Sequence, residues 1–196
     1  MKPTFKNKQN TAHKLKSGET IFNSRSVAVA AIVCGWDEKS KNWHVVLGKR
    51  GAAVDQSGKW GYVCGYLDWD ETLLEAVKRE VWEEAGIDLT ALEIKEDANI
   101  CEQPVFVQST IDDSRQNVTC RYFVQINHLT PLTVENAEKN EISETRWVPL
   151  LKKELIKFDF AFNHKAILDD IADWLEDDET QDEFTIDDYI RFKKNF

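Results

Sequence analysis

GYLDWDETLLEAVKREVWEEAGI, Gly65–Ile87, is the stretch whose reading decides the fold of this chain. It runs Gly65, five residues, Glu71, seven residues, and then Arg79-Glu80-Val81-Trp82-Glu83-Glu84-Ala85-Gly86-Ile87. Thr72 stands as an N-cap with Glu75 three residues on, the capping-box arrangement, and Gly86 suits the C′ position where a chain leaves a helix. The spacing predicts a helix over Leu73–Ala85, entered from a loop. On that helix Glu80, Glu83 and Glu84 fall at i, i+3 and i+4 on one face, while Leu73, Ala76, Val77 and Val81 mark another. One face goes to a core and the other is a cluster of carboxylates.

Like charges at this spacing repel unless a cation lies among them. Carboxylate oxygens fixed on a rigid element suit Mg²⁺ or Mn²⁺, which bind through few carboxylates together with substrate phosphate and water. The ligand so implied is a phosphate ester held through metal. On spacing alone, a solvated acidic helix face is an equal reading.

Every defined position of the stretch matches the signature of the Nudix hydrolases: Gly65, Glu71, Arg79-Glu80, apolar Val81, Glu83-Glu84, Gly86 and aliphatic Ile87. The chain is therefore identified as resembling that family, over the signature proper and more loosely over residues 26–175. The resemblance implies an α/β fold, the Nudix α/β/α sandwich, with a mixed sheet between the signature helix and a C-terminal helix. It implies a pyrophosphohydrolase acting on acid anhydrides, which cleaves the diphosphate linkage of a nucleoside diphosphate derivative with Mg²⁺ or Mn²⁺. Glu80 and Glu84 become the main metal ligands, with Glu83 sharing the shell. Glu71 supports ligands or water, and Arg79 pairs with a signature glutamate and holds its orientation. Family members usually have a Pro-Gly-Gly-like turn before the helix, where this chain has Val63-Cys64-Gly65. By position the backbone carbonyl of Cys64 inherits a metal-ligating role, and its thiol need not take part. The family often takes a further carboxylate from a later loop; Glu141 is the first candidate for activating water, with Glu138 and Glu144 behind it.

The substrate's remaining groups fall to residues outside the signature. Lys49 and Arg50, adjacent cations before Gly51, are placed to meet a diphosphate, against the alternative of a solvated strand end. Tyr66 and Trp69 are the aromatics best placed to stack on a base; Trp60, Tyr62 and Trp82 are the others, and burial in a core is the competing reading for all of them. Phe160–Leu168 (FAFNHKAIL) is similar to the closing region of Nudix proteins that act on ADP-ribose or related nucleotide sugars, with His164 read as a helix-start residue. The alternative to an enzyme is a non-catalytic nucleotide-sensing Nudix-fold protein, whose known forms carry an added DNA-binding domain for which the acidic C-terminal tail offers no material. An isoprenoid diphosphate isomerase shares the fold, but Cys64 is not a sufficient match to its motifs.

The 196 residues suit one domain with extensions: a basic arm, read as mobile, over 1–24, the Nudix domain over 25–176, and an acidic extension over 177–196 with a short helix within Thr185–Phe196. A net charge of −10 argues against a general nucleic-acid or anionic-membrane surface. The four cysteines form no CxxC pair, which points away from a zinc site or a disulfide framework. No stretch reads as a signal peptide or a membrane span, so a cytoplasmic enzyme with a small-molecule nucleotide partner is expected, a homodimer being one option for its assembly. Strands are expected near Thr20–Phe22 and over Ser26–Val33, Trp43–Leu47, Trp60–Cys64, Pro104–Ser109, Asn117–Asn127 and Thr145–Pro149. Ile87–Asp97 reads as a connection, Asp112–Arg115 as a hairpin loop, and Asn163–Leu175 as a helix capped by Asn163.

Overall fold

The computed structural model of the chain describes residues 11–109 and 117–177. In chain order the elements are β1 (Thr11–Lys14), β2 (Thr20–Asn23), β3 (Val27–Asp37), β4 (Asn42–Arg50), β5 (Trp60–Gly61), β6 (Val63–Tyr66), α1 (Leu73–Ala85), α2 (Leu89–Ile94), β7 (Ala98–Ile100), β8 (Phe106–Gln108), β9 (Val118–Ile126), β10 (Ile142–Pro149), α3 (Lys152–Leu155) and α4 (His164–Asp177). The loop expected over Asp112–Arg115 and the helix expected within Thr185–Phe196 lie outside the described residues.

The main sheet runs β10-β4-β3-β9-β7, with β5 against β4, β6 against β3 and β8 against β9. Its central pair β3–β9 is parallel and its other pairs are antiparallel, so the sheet is mixed. Strand alternation divides the core in two. Val29, Ala31 and Val33 of β3 pack with Ala76, Val77, Val81 and Ala85 of α1. Ala30, Ile32 and Cys34 pack on the opposite face with Leu168, Ile171, Ala172 and Leu175 of α4. This is the α/β/α sandwich with the mixed sheet between the two helices.

Helix α1 begins and ends where its caps dictate. Thr72 accepts the Glu75 N–H at 3.2 Å, the Glu75 carboxylate accepts the Thr72 N–H at 2.7 Å, and Gly86 turns into the left-handed region at φ 72°. Replacing Thr72 by Ala should lower stability by about 1 kcal/mol in chemical denaturation. Unchanged stability would show that the cap contributes nothing in this context.

The structure departs from the sequence expectations in five places. Ile87–Asp97 is not only a connection: Asp88 caps Ala91 N–H at 2.9 Å and starts α2, whose Leu89 is buried. Ala98–Ile100 adds β7 to the sheet by pairing with Val124–Ile126. Strands β3 and β4 extend beyond the expected Ser26–Val33 and Trp43–Leu47 because Asp37 accepts the N–H groups of Lys39 and Ser40, and Trp36 packs edge-on against Trp43 with centroids 5.4 Å apart. The strand expected over Thr145–Pro149 starts earlier, at Ile142, which is buried and pairs with Arg50. The strand expected near Thr20 is β2, hairpinned to a β1 that the composition of the arm did not reveal.

Candidate functional site

A cavity of roughly 580 Å³ opens on the α4 side of the sheet. Its floor follows from the register of three strands. Ala28 lies between Tyr66 and Thr119, and Ala30 between Cys64 and Arg121. Two alanines on the central strand leave a trough between the larger side chains of β6 and β9. The trough runs on to Glu80, Glu83 and Arg79 of α1, to Glu138 and Glu141, and to Arg50, Phe162 and His164.

The signature residues converge at one end. Glu80 is buried and its carboxylate presses against the Cα of Gly65, where any Cβ would overlap it. Arg79 uses its whole fork. Its Nε and Nη2 donate to the two oxygens of Glu71 at 3.0 and 2.8 Å, its Nη1 donates to Glu80 at 2.7 Å and Glu83 at 2.9 Å, and its Nη2 also donates to the Tyr66 carbonyl at 2.9 Å. The arginine pairing expected from the sequence is thus present with three carboxylates. Glu71 also accepts the Asp68 N–H at 2.7 Å; chiefly the Arg79 hydrogen bonds hold its carboxyl below the usual range. Glu84 lies behind the cavity wall, 3 % exposed, where it accepts the Cys64 N–H at 3.3 Å.

Carboxylates outnumber cations here, and the electrostatics show it. Burial pushes Glu80 up to about 7, against the pull of Arg79. Burial, then Glu80 and Glu141, raise Glu84 well above the carboxylate range. Glu141 is raised by burial and by Glu138 and Glu83. Its loop is tied to the end of β4, since Gly51 N–H donates to the Glu141 carbonyl at 2.6 Å and Ala53 N–H to the Asn140 carbonyl at 2.9 Å. Among the described residues no three His, Cys, Asp or Glu side chains already stand at metal-binding spacing. Arg79 Nη1 lies between Glu80 and Glu83 and holds that position instead. The donor set nevertheless fits a hard dication, because buried carboxylate oxygens in excess of positive charge are what such an ion relieves.

A group whose folded pKa is raised binds a proton more readily in the folded state. Folding stability then falls as pH rises from the unfolded carboxylate value towards the folded one. For Glu80 that window runs from the ordinary range to about 7, and for Glu84 it lies in the same direction. Metal-free protein should therefore melt at a lower temperature at pH 7 than at pH 6, and added Mg²⁺ should narrow the difference. Equal melting temperatures at the two pH values without metal would count against this reading of the cluster. His164 works in the opposite sense. Burial, then Arg121 and Arg50, depress it to about 3, so its contribution is present above the ordinary histidine range and is lost as pH falls from there towards about 3.

The other residues singled out from the sequence are distributed unevenly. Cys64 and Tyr66 line the cavity, Tyr66 accepting from Asn117 Nδ2 at 3.3 Å. Arg50 lines it too, bound to Asp55 through Nη2 at 2.7 Å and lying over the Phe162 ring at 5.0 Å. Lys49 is not on the cavity wall; its Nζ sits 5.9 Å from the Trp60 ring centroid. Trp69 is 93 % exposed and also outside the cavity. Trp60 and Tyr62 are core residues, and Glu144 faces Arg146 on β10. Among the lining residues that the sequence reading did not single out are Asp55, Gln108 and Arg121, and Phe162, with φ 51°, lines the cavity from within the Phe160–Leu168 segment. The signal for Arg121 was legible, a lone arginine inside the apolar run of NVTCRYFVQIN. His164 starts α4 as read, but it is buried, stacked on Tyr62 with centroids 3.7 Å apart.

Over residues 24–171 the chain matches the family model described as NUDIX domain. Comparison with curated protein sequences gave no match. Among solved structures it resembles the NUDIX domain of Shewanella oneidensis NrtR complexed with ADP ribose, with 20% identity, 79% of this chain and 90% of that chain covered, and a TM-score of 0.60. A C. elegans Ap4A hydrolase binary complex follows at 16% identity, 77% and 98% coverage and a TM-score of 0.57. A bifunctional NMN adenylyltransferase/ADP ribose pyrophosphatase from Francisella tularensis, complexed with AMP and a Mn ion, matches at 19% identity and a TM-score of 0.56 over 77% of this chain and 42% of that one. At these identities the likeness is one of fold.

Proposed function

The chain belongs to the Nudix family, its domain spanning residues 24–171, and on that premise we propose that it is a metal-dependent hydrolase cleaving the diphosphate linkage of a nucleoside diphosphate derivative, ADP-ribose or a related nucleotide. The observation that carries this reading is the convergence of Glu80, Glu83 and Glu141 on one cavity end, with buried Glu84 directly behind it. The nucleotides bound in two of the solved relatives, ADP ribose and AMP, support the substrate class.

Glu80, Glu83, Glu84 and the Cys64 carbonyl would hold Mg²⁺ or Mn²⁺. When bound, that ion supplies neutralisation of diphosphate charge and a lowered pKa for the attacking water. Arg79, anchored by Glu71, keeps Glu80 and Glu83 oriented, a positioning role whose loss costs affinity rather than fold. Glu141, raised by burial and neighbouring acids, is suited to accept the proton of the attacking water. Tyr66 and Arg50 line the space left for the nucleoside and its phosphates. Among the described residues no helix is long and apolar enough to cross a membrane.

Incubation with Mg²⁺ or Mn²⁺ and ADP-ribose, oxidised dinucleotide, dinucleoside polyphosphates or deoxynucleoside triphosphates should release phosphate-ended products from at least one. Tight binding of one compound without turnover of any would replace the enzyme by a nucleotide-sensing protein on the same fold.

A further inference from the structure

Among the described residues, Arg121 is a buried cation with no carboxylate partner. It lies in β9 on the α4 side of the sheet, 6 % exposed, and lines the cavity. Its Nε donates to Tyr62 Oη at 2.9 Å and its Nη2 to Gln108 Oε1 at 2.6 Å, both neutral acceptors. Its Nη1 is sealed from solvent and has no hydrogen-bond partner. The guanidinium carbon lies 5.4 Å from the Phe106 ring centroid. Of the cavity's acids, Asp55 pairs with Arg50, Asp68 lies by Arg79, Glu80 and Glu83 pair with Arg79, and Glu141 lies among acids, near Glu138 and Glu83.

A guanidinium withdrawn from water without an anionic partner is costly, and a neutral residue at this place on β9 would avoid that cost. The register sets its position relative to the acidic end. Cys64, Ala30 and Arg121 stand in one row across β6, β3 and β9. Two strand spacings therefore separate the backbones of Cys64 and Arg121, about 10 Å. The cavity is polarised across the alanine floor, with carboxylates at the α1 end and an uncompensated arginine on the other wall. A diphosphate held at the acidic end leaves that wall to another part of the same molecule.

We infer that Arg121 anchors a second anionic group of the substrate, a phosphoryl group on the part of the molecule remote from the carboxylate cluster. This rests on the proposed diphosphate-derivative activity for its identification of the ligand as substrate and selects, within that class, nucleotides with a phosphoryl group beyond the diphosphate, which ADP-ribose lacks; the anion site itself does not depend on turnover. Gln108 and Tyr62 each take one N–H of the fork and hold it in plane, and the N–H groups left over, the second of Nη2 and those of sealed Nη1, have no acceptor among the described residues.

The test uses metal-free protein in EDTA, where the carboxylate end repels anions, with inorganic pyrophosphate as probe and isothermal titration as readout. The full-length protein should bind one equivalent, with a dissociation constant on the order of 1 mM or tighter. Arg121→Gln should weaken binding about 10- to 100-fold, and Arg121→Lys should fall between the two. Thermal melting of each variant checks its fold. If the Gln variant does not fold, the Arg121 Nε–H resonance of the unaltered protein decides, since it must shift with pyrophosphate at the same affinity. No binding by the unaltered protein, or equal binding by a folded Gln variant, overturns the inference. Because no metal or hydrolysis enters, failure here leaves the proposed activity standing, and absence of turnover leaves the anion site standing.

Discussion

Glu84→Gln should reduce turnover by about a hundredfold or more while leaving the protein folded. The substitution is nearly isosteric, and its amide oxygen can still accept the Cys64 N–H that Glu84 accepts at 3.3 Å. What it removes is the charge. That charge sits in a buried position already crowded by Glu80 and Glu141, so metal-free protein should melt no lower, and at pH 8 higher, once it is gone. The two measurements separate two roles for one residue. If Glu84 serves only to position the Cys64 amide, the Gln variant keeps its turnover and the ligand assignment is wrong. If it binds the cation, turnover falls, and the stabilisation given by Mg²⁺ in a melting experiment falls with it.

Gly65→Ala should cost comparable activity by a different route. A Cβ on Gly65 would occupy the space of the Glu80 carboxylate. Glu80 is buried and held by Arg79 Nη1 at 2.7 Å, so it cannot swing aside without breaking that contact. Overpacking of this kind destabilises by about 1–3 kcal/mol. Displacement of a reacting group by about 1 Å can lower the rate roughly a hundredfold. Shortening the obstructing side chain in the double variant Gly65→Ala, Glu80→Asp should restore part of the stability but not the rate. A Gly65→Ala protein with full activity would show that Glu80 need not stay where the structure places it.

Gly65 also shows what the linear signature conceals. Its requirement is a contact across the loop to a residue on the helix that follows, not the conformational freedom of a turn: its backbone lies within β6, paired with Val29. The helix itself was legible in detail, because its boundaries are set by local chemistry: the Thr72–Glu75 box, the period of its apolar face and the left-handed Gly86. The central strands were legible for the same reason, since alternation and β-branched residues act within a few positions. α2 and β7 were not. One is a single capped turn and a half, the other three residues long, and elements so short owe their existence to packing against α1 and β9 rather than to their own periodicity.

By itself, then, the sequence determined the family, the fold, the capped helix and the set of acidic residues that it carries, all consequences of interactions close along the chain. Only the tertiary structure decided which residues share a cavity. It separated Arg50 from its neighbour Lys49, and Tyr66 from Trp69, since adjacent strand residues point to opposite faces and loop residues follow no period. It also brought Arg121 and His164 to the same trough as a helix far from both in sequence. Strand register accomplishes this by setting Cys64, Ala30 and Arg121 in one row. That row is a product of pairing between segments distant along the chain, which local pattern does not specify.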